Sequence, residues 1–271
     1  MAYMASLLVN PQRILGLRGV SFVVCALAIM LMTACQSTQS NGDLASGSSG
    51  FNGDGSAPAS EEIALTTERE GGHISAAQQF MKLFNEDGEV KHLIGAARNL
   101  RYHGSSKDAL AVLIQYQDEF ENDPNYRLEL GKTRIAAGKE KEAIADLEFA
   151  ADGLPFEWAP YSALGIAHDL NENFEAAHEA YTRAIELSDE DPAVLNNFAI
   201  SKALSGDIKG AIALLQDHPR AIRRSAHIRQ NLAMFMAING DDQTASELAR
   251  MDLDDEQAQR NIEFFKQFRK N

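Results

Sequence analysis

The side chains able to ligate a metal or supply a nucleophile are seven histidines (His73, His92, His103, His168, His178, His218, His227) and two cysteines, Cys25 and Cys35. A catalytic zinc helix needs paired ligands, as in H-E-x-x-H, and the histidines form no such pair and no metal-ligand cluster. A nucleophilic thiol needs a histidine partner, and no such arrangement stands out. There is no glycine-rich phosphate loop and no G-x-S-x-G elbow. Carboxylates are many but scattered over helix faces; Glu140, Glu142 and Asp146 read as one solvated face. The expectation is a non-enzyme with no cofactor and no metal. With 25 Lys and Arg against 39 Asp and Glu, the net charge is −14 and no basic stripe is present. That excludes nucleic acid as a partner, since phosphate contacts require clustered cations.

Chemistry failing, the organising signal is repetition. One constant step along the chain gives the series Ala96, Leu130, Leu164, Phe198, Leu232, and beside it Ala97, Gly131, Gly165, Ala199, Ala233. A third series runs Ala109, Ala143, Ala177, Ala211, Ala245, and a fourth Leu113, Leu147, Tyr181, Leu215, Ala249. A fifth runs Gly104, Gly138, Glu172, Gly206, Gly240. Small residues let two helices approach closely and large ones fill the gaps. Glycine can take the left-handed conformation that ends a helix, and the Asp after Gly206 and Gly240 can cap the next. Asp123-Pro124 and Asp191-Pro192 suit first helical turns. Each copy is therefore a helix, a turn and a helix. Such a pair cannot bury its apolar face alone, so copies must stack.

The stretch Tyr161…Leu164-Gly165…His168…Ala177…Tyr181 resembles the tetratricopeptide-repeat (TPR) signature. The resemblance implies an all-α solenoid of about five repeats, near 90–123, 124–157, 158–191, 192–225 and 226–259. Residues 73–87 read as an N-terminal capping helix and 254–270 as a C-terminal one. Pro219 should shorten the second helix of the fourth repeat, leaving a longer helix from Ile222 to Ile238 to open the fifth. In TPR proteins the first helices line a groove that binds peptides or partner helices. By that resemblance Arg98, Lys132, Ile166, Ile200 and Met234 face the groove, with Arg101 and Lys91 reinforcing a basic N-terminal end. Asn197 and Asn231 stand where a TPR asparagine often holds a ligand backbone. The alternative is that Ile166, Ile200 and Met234 pack between repeats and that the two asparagines bond locally.

Residues 1–34 read as a targeting segment. Arg13 and Arg18 precede an apolar run, Val20 to Met32, too short to span a bilayer comfortably. Its end, Leu31-Met32-Thr33-Ala34-Cys35, resembles the bacterial lipobox, which implies cleavage before Cys35 and lipidation of that residue. Acyl chains anchor firmly, at about 0.8 kcal/mol per buried CH₂. Gln36, rather than Asp, points to the periplasmic face of a Gram-negative outer membrane. Residues 35–72 then read as the lipidated cysteine and a flexible Ser/Gly linker with a reach on the order of 35 Å.

The C-terminal part of the chain, with Asp191-Pro-Ala-Val-Leu-Asn-Asn-Phe-Ala, Ile228-Arg-Gln-Asn-Leu-Ala and Leu248-Ala-Arg-x-Asp-Leu253, resembles TadD-type lipoproteins of the tight-adherence (Flp pilus) system. The resemblance implies a scaffold assisting pilus assembly, pilotin-like toward the secretin or another pilus component, and held to the membrane by its lipid. A general periplasmic scaffold for envelope or polysaccharide assembly is the alternative reading, and an envelope enzyme a second one.

Overall fold

The structure, a computed structural model, describes residues 56–269. Cys35 and the targeting segment lie outside them. The described residues are helices joined by short turns, in two compact units divided after Glu121.

The first unit holds α1 (Ser56–Arg69), α2 (His73–Asp87), α3 (Val90–Tyr102), α4 (Ser106–Gln115) and the short α5 (Gln117–Phe120). The second holds α6 (Pro124–Ala136), α7 (Glu140–Gly153), α8 (Trp158–Leu170), α9 (Phe174–Leu187), α10 (Pro192–Leu204), α11 (Ile208–Gln216), α12 (Pro219–Arg224), α13 (Ala226–Asn239), α14 (Asp242–Ala249) and α15 (Asp255–Lys266). Within the second unit α6 and α7, α8 and α9, α10 and α11, and α13 and α14 pair as hairpins, and each hairpin packs on the next.

The turn series explains the pairing. Gly104, Gly138, Gly206 and Gly240 have φ of +92°, +75°, +92° and +99°, and Glu172 takes +59° at the same place without the freedom of glycine. Asp or Asn side chains then start the second helices, with Asn173, Asp207 and Asp241 each accepting from a backbone N–H three residues on. Close approach explains the small series. A Cβ at Gly131 would lie 2.6 Å from Leu147 Cγ, and one at Gly165 would lie 2.6 Å from Tyr181 Cζ. A Gly faces a large residue in these two hairpins, whereas Ala233 faces the small Ala249 position.

Two expectations need correction. Residues 56–69, expected in the flexible linker, are helix α1, with Ala64 fully buried. α1 and α2 form a hairpin turned at Gly71 (φ +82°), so α2 is a second helix and not a lone cap. In this hairpin Ala64, Gly71, Ala76 and Phe80 precede Ala97, Gly104, Ala109 and Leu113 by one residue less than the constant step. The slip hides this copy from a search at strict spacing. The core of this end is Ala64, Ala76, Phe80, Leu83 and Ala96. Second, no continuous helix runs from Ile222 to Ile238. Ser225 is extended (φ −129°, ψ 115°) and its hydroxyl accepts from the N–H of Ile228, ending α12 and starting α13.

The last helix closes the second unit. Asp254 and Gln257 form a capping box, α15 packs on α13 and α14, and Ile262 and Phe265 are buried. Arg269 donates to the Ala237 carbonyl at 2.8 Å and pairs with Asp242, fastening the C-terminal end of α13.

Candidate functional site

In the second unit the first helices α6, α8, α10 and α13 pack side by side as one layer. This layer is where the expected binding residues belong, and it treats them differently.

Ile200 and Met234 are only 4% and 5% exposed, so they are core side chains and not groove lining. The drive to remove apolar surface from water decides this position. Ile166 is partly buried and packs against Ala177, Tyr181 and Phe198. Lys132 is partly buried on α6 and Asn197 partly exposed on α10. Asn231 is buried and donates through Nδ2 to Asn196 Oδ1 at 2.6 Å, across the seam between α13 and α10. The neighbour Asn196, not Asn197, is thus its partner.

In the first unit the expected basic end is neutralised. Arg98 makes a two-pronged pair with Glu68 of α1, both contacts 2.7 Å. Lys91 pairs with Glu61 of α1 at 3.1 Å and holds that carboxyl below the usual range. Arg101 lies with its guanidinium carbon 4.8 Å from the Tyr102 ring centre. The acidic residues answering Lys91 and Arg98 sit in the stretch that reads as linker, so sequence pattern alone does not pair them.

Asp146 is 1% exposed, not part of a solvated face. It joins α7 to α6 through Arg127, at 2.9 Å, and Arg134. Burial pushes its carboxyl up, against the pull of Arg134 and Arg127. Tyr126 beside it is fully buried, and burial with the Asp146 charge pushes its hydroxyl up to about 12.

A further internal carboxylate is one that sequence reasoning misses. Asp169, at the end of α8, accepts a hydrogen bond from Ser201 Oγ of α10 at 2.6 Å and from the Tyr181 hydroxyl of α9 at 3.0 Å. Burial pushes it up to about 6, while the Ser201 and Tyr181 bonds pull the other way. A signal exists: the equivalent positions in the copies before and after are Ile135 and Ala203, so a carboxylate interrupts an apolar series.

His178 meets Phe198 edge-on at 5.4 Å, and burial followed by the Lys202 charge lowers its pKa. Among the described residues no group of three or more His, Cys, Asp or Glu side chains is placed to hold a metal ion. No helix among them is long and apolar enough to cross a membrane.

The stack of helical hairpins is shared with solved structures. A TPR protein of Parabacteroides merdae superposes with TM-score 0.60 at 12% identity, over 78% of this chain and 84% of that one. TTC0263, a thermophilic TPR protein of Thermus thermophilus, gives 0.59 at 16% identity, over 66% and 98%. The fold is the TPR fold. YrrB, described as a TPR protein with an unusual peptide-binding site, gives TM-score 0.51 at 19% identity over 70% of this chain and 99% of that one. No family model matches the sequence. No curated protein matches it either.

Among the side chains on the first-helix layer of this TPR unit are the amides of Asn196 and Asn197, the Lys132 ammonium and the half-buried Asp169 carboxylate. Such groups can accept and donate hydrogen bonds to an extended chain and can hold a cation.

Proposed function

We propose that this chain is a protein-interaction scaffold of the bacterial envelope, acylated at Cys35, held at the periplasmic face of the outer membrane and assisting Flp-type pilus assembly. Its TPR layer engages a peptide segment of a partner, with the secretin as the expected one. The observation that carries the reading is the first-helix layer of the second unit, whose helices α8 and α10 carry Asp169, Asn196 and Asn197 as partly exposed polar side chains. YrrB supports peptide engagement by a fold of this kind. The lipobox-like Leu31-to-Cys35 segment and the TadD-like ending support the envelope setting. The lipid fixes the scaffold near one surface, and two tethered partners meet at raised effective concentration.

The test is crosslinking in intact cells, followed by purification from outer membranes. Secretin subunits among the dominant products are the expected result. Other envelope proteins in their place would leave a general envelope scaffold and remove the pilus assignment. Cys35→Ala should shift the protein from the membrane pellet to the soluble fraction. Persistent pelleting of that variant after a salt wash contradicts the lipid anchor.

A further inference from the structure

Asp169 is supplied with hydrogen bonds but no opposite charge. Among the described residues its partners are two hydroxyls, Ser201 Oγ at 2.6 Å and Tyr181 OH at 3.0 Å. Asp146, on the preceding hairpin, shows how the same fold treats a carboxylate meant to stay internal, giving it Arg127 and Arg134. Lys202 and Arg183, on the two helices that supply its partners, are engaged elsewhere. Lys202 stands 3.7 Å from Asp207 and 4.9 Å from the centre of the Phe198 ring, and Arg183 pairs with Glu186 at 2.9 Å. Asp169 also remains partly exposed, at the seam of α8 and α10 in the first-helix layer.

A carboxylate removed from much of its water is stabilised by a cation brought to it. The Ser201 and Tyr181 bonds fix its two oxygens before any ligand arrives, and each oxygen keeps acceptor capacity. One seam further on, the bond between Asn231 and Asn196 uses one donor and one acceptor. The partly exposed Asn196 amide keeps hydrogen-bonding capacity suited to a peptide backbone. The acidic balance of the chain, −14, attracts cationic segments at long range.

We infer that Asp169 is the specificity-determining residue of this layer and selects an extended partner segment bearing a lysine or arginine, with the segment's backbone on Asn196. The inference rests on the reading of this layer as a peptide-binding surface.

The test pans the full-length chain, purified in detergent and immobilised, against a random heptapeptide library balanced in acidic, basic and neutral residues. Asp169→Asn keeps the shape and removes the charge, exchanging one acceptor oxygen for an N–H donor that a hydroxyl can accept. Ser201→Ala keeps the charge and removes one support. Thermal melts confirm that each variant folds. Lysine- and arginine-bearing peptides should be enriched about tenfold over their neutral counterparts. Asp169→Asn should abolish that preference and Ser201→Ala should retain it. Enrichment of peptides without a basic preference, or a preference that survives Asp169→Asn, overturns the inference and leaves the peptide-binding reading standing. No enrichment over a protein-free surface overturns both.

Discussion

The hairpin α6–α7 and the hairpin α13–α14 share turn, spacing and fold, yet they are held together by opposite means. In α6–α7 the buried groups include Glu129, Thr133 and Asp146, with Arg127 and Arg134 closing on Asp146. In α13 an unbroken run from Leu232 to Ile238 is buried, and its members are Leu, Ala, Met, Phe and Ile. The difference teaches that the repeat fixes side-chain volume at its seams far more strictly than polarity. A paired carboxylate and an apolar side chain are both admissible, provided the charge is answered inside.

That contrast can be broken most severely through volume. Gly165→Leu, like its counterpart Gly131→Leu, drives a side chain into Tyr181 or Leu147 and should cost about 3 kcal/mol or more. The measurement is denaturant unfolding, and an unchanged midpoint contradicts the register on which all five series rest. Asp146→Ala should cost about 3–5 kcal/mol, because Arg127 and Arg134 are left without their carboxylate. Replacing all three by apolar residues of similar volume should recover most of that loss, bringing α6–α7 to the condition of α13–α14. If the triple variant is no more stable than Asp146→Ala, polarity is as strictly fixed as volume.

Asp169 lies between the two extremes and gives the pH arm. Its folded pKa of about 6 is above the unfolded carboxylate value of 3.8. Between about pH 4 and about pH 6 the folded state therefore keeps a proton that the unfolded chain has released, so stability from this group falls as pH rises through that window. Asp169→Asn should be more stable than the parent at pH 7 by about 1–3 kcal/mol and should lose that advantage near pH 4. Equal melting curves of the two proteins at pH 7 rule the idea out. The smallest effect belongs to Glu172, at φ +59° where the other turns have glycine. Glu172→Gly should raise stability by about 1 kcal/mol, seen as a melting temperature a few degrees higher.

Much of this fold is legible because it is written five times. The turn series Gly104, Gly138, Glu172, Gly206 and Gly240 all take positive φ, Glu172 included. The hairpin α1–α2 escapes because its copy is one residue out of step and begins in Ser-rich sequence. Ser225 escapes because Pro219 already explains one break nearby. The expected binding face is harder. Arg98 is answered by Glu68 on another helix, and no local pattern marks such a pair. Ile200 and Met234 read as lining because their position follows the small series, but burial at a helix seam depends on the neighbour that covers it. Asp146 and Asp169 differ from solvated acids only in what faces them across the helices.

The cluster at Asp169 also bears on how freely such units could be exchanged. Excising one repeat, from Glu172 to Ser205, would join equivalent turns. It would also place Leu215 and Phe235 where Tyr181 and Ser201 had stood, leaving Asp169 facing hydrocarbon. Periodic packing makes the units look interchangeable, while their polar pairs act as addresses. In terms of ancestry, a duplication or loss of a hairpin here would leave the turns in register and would be betrayed by one stranded carboxylate.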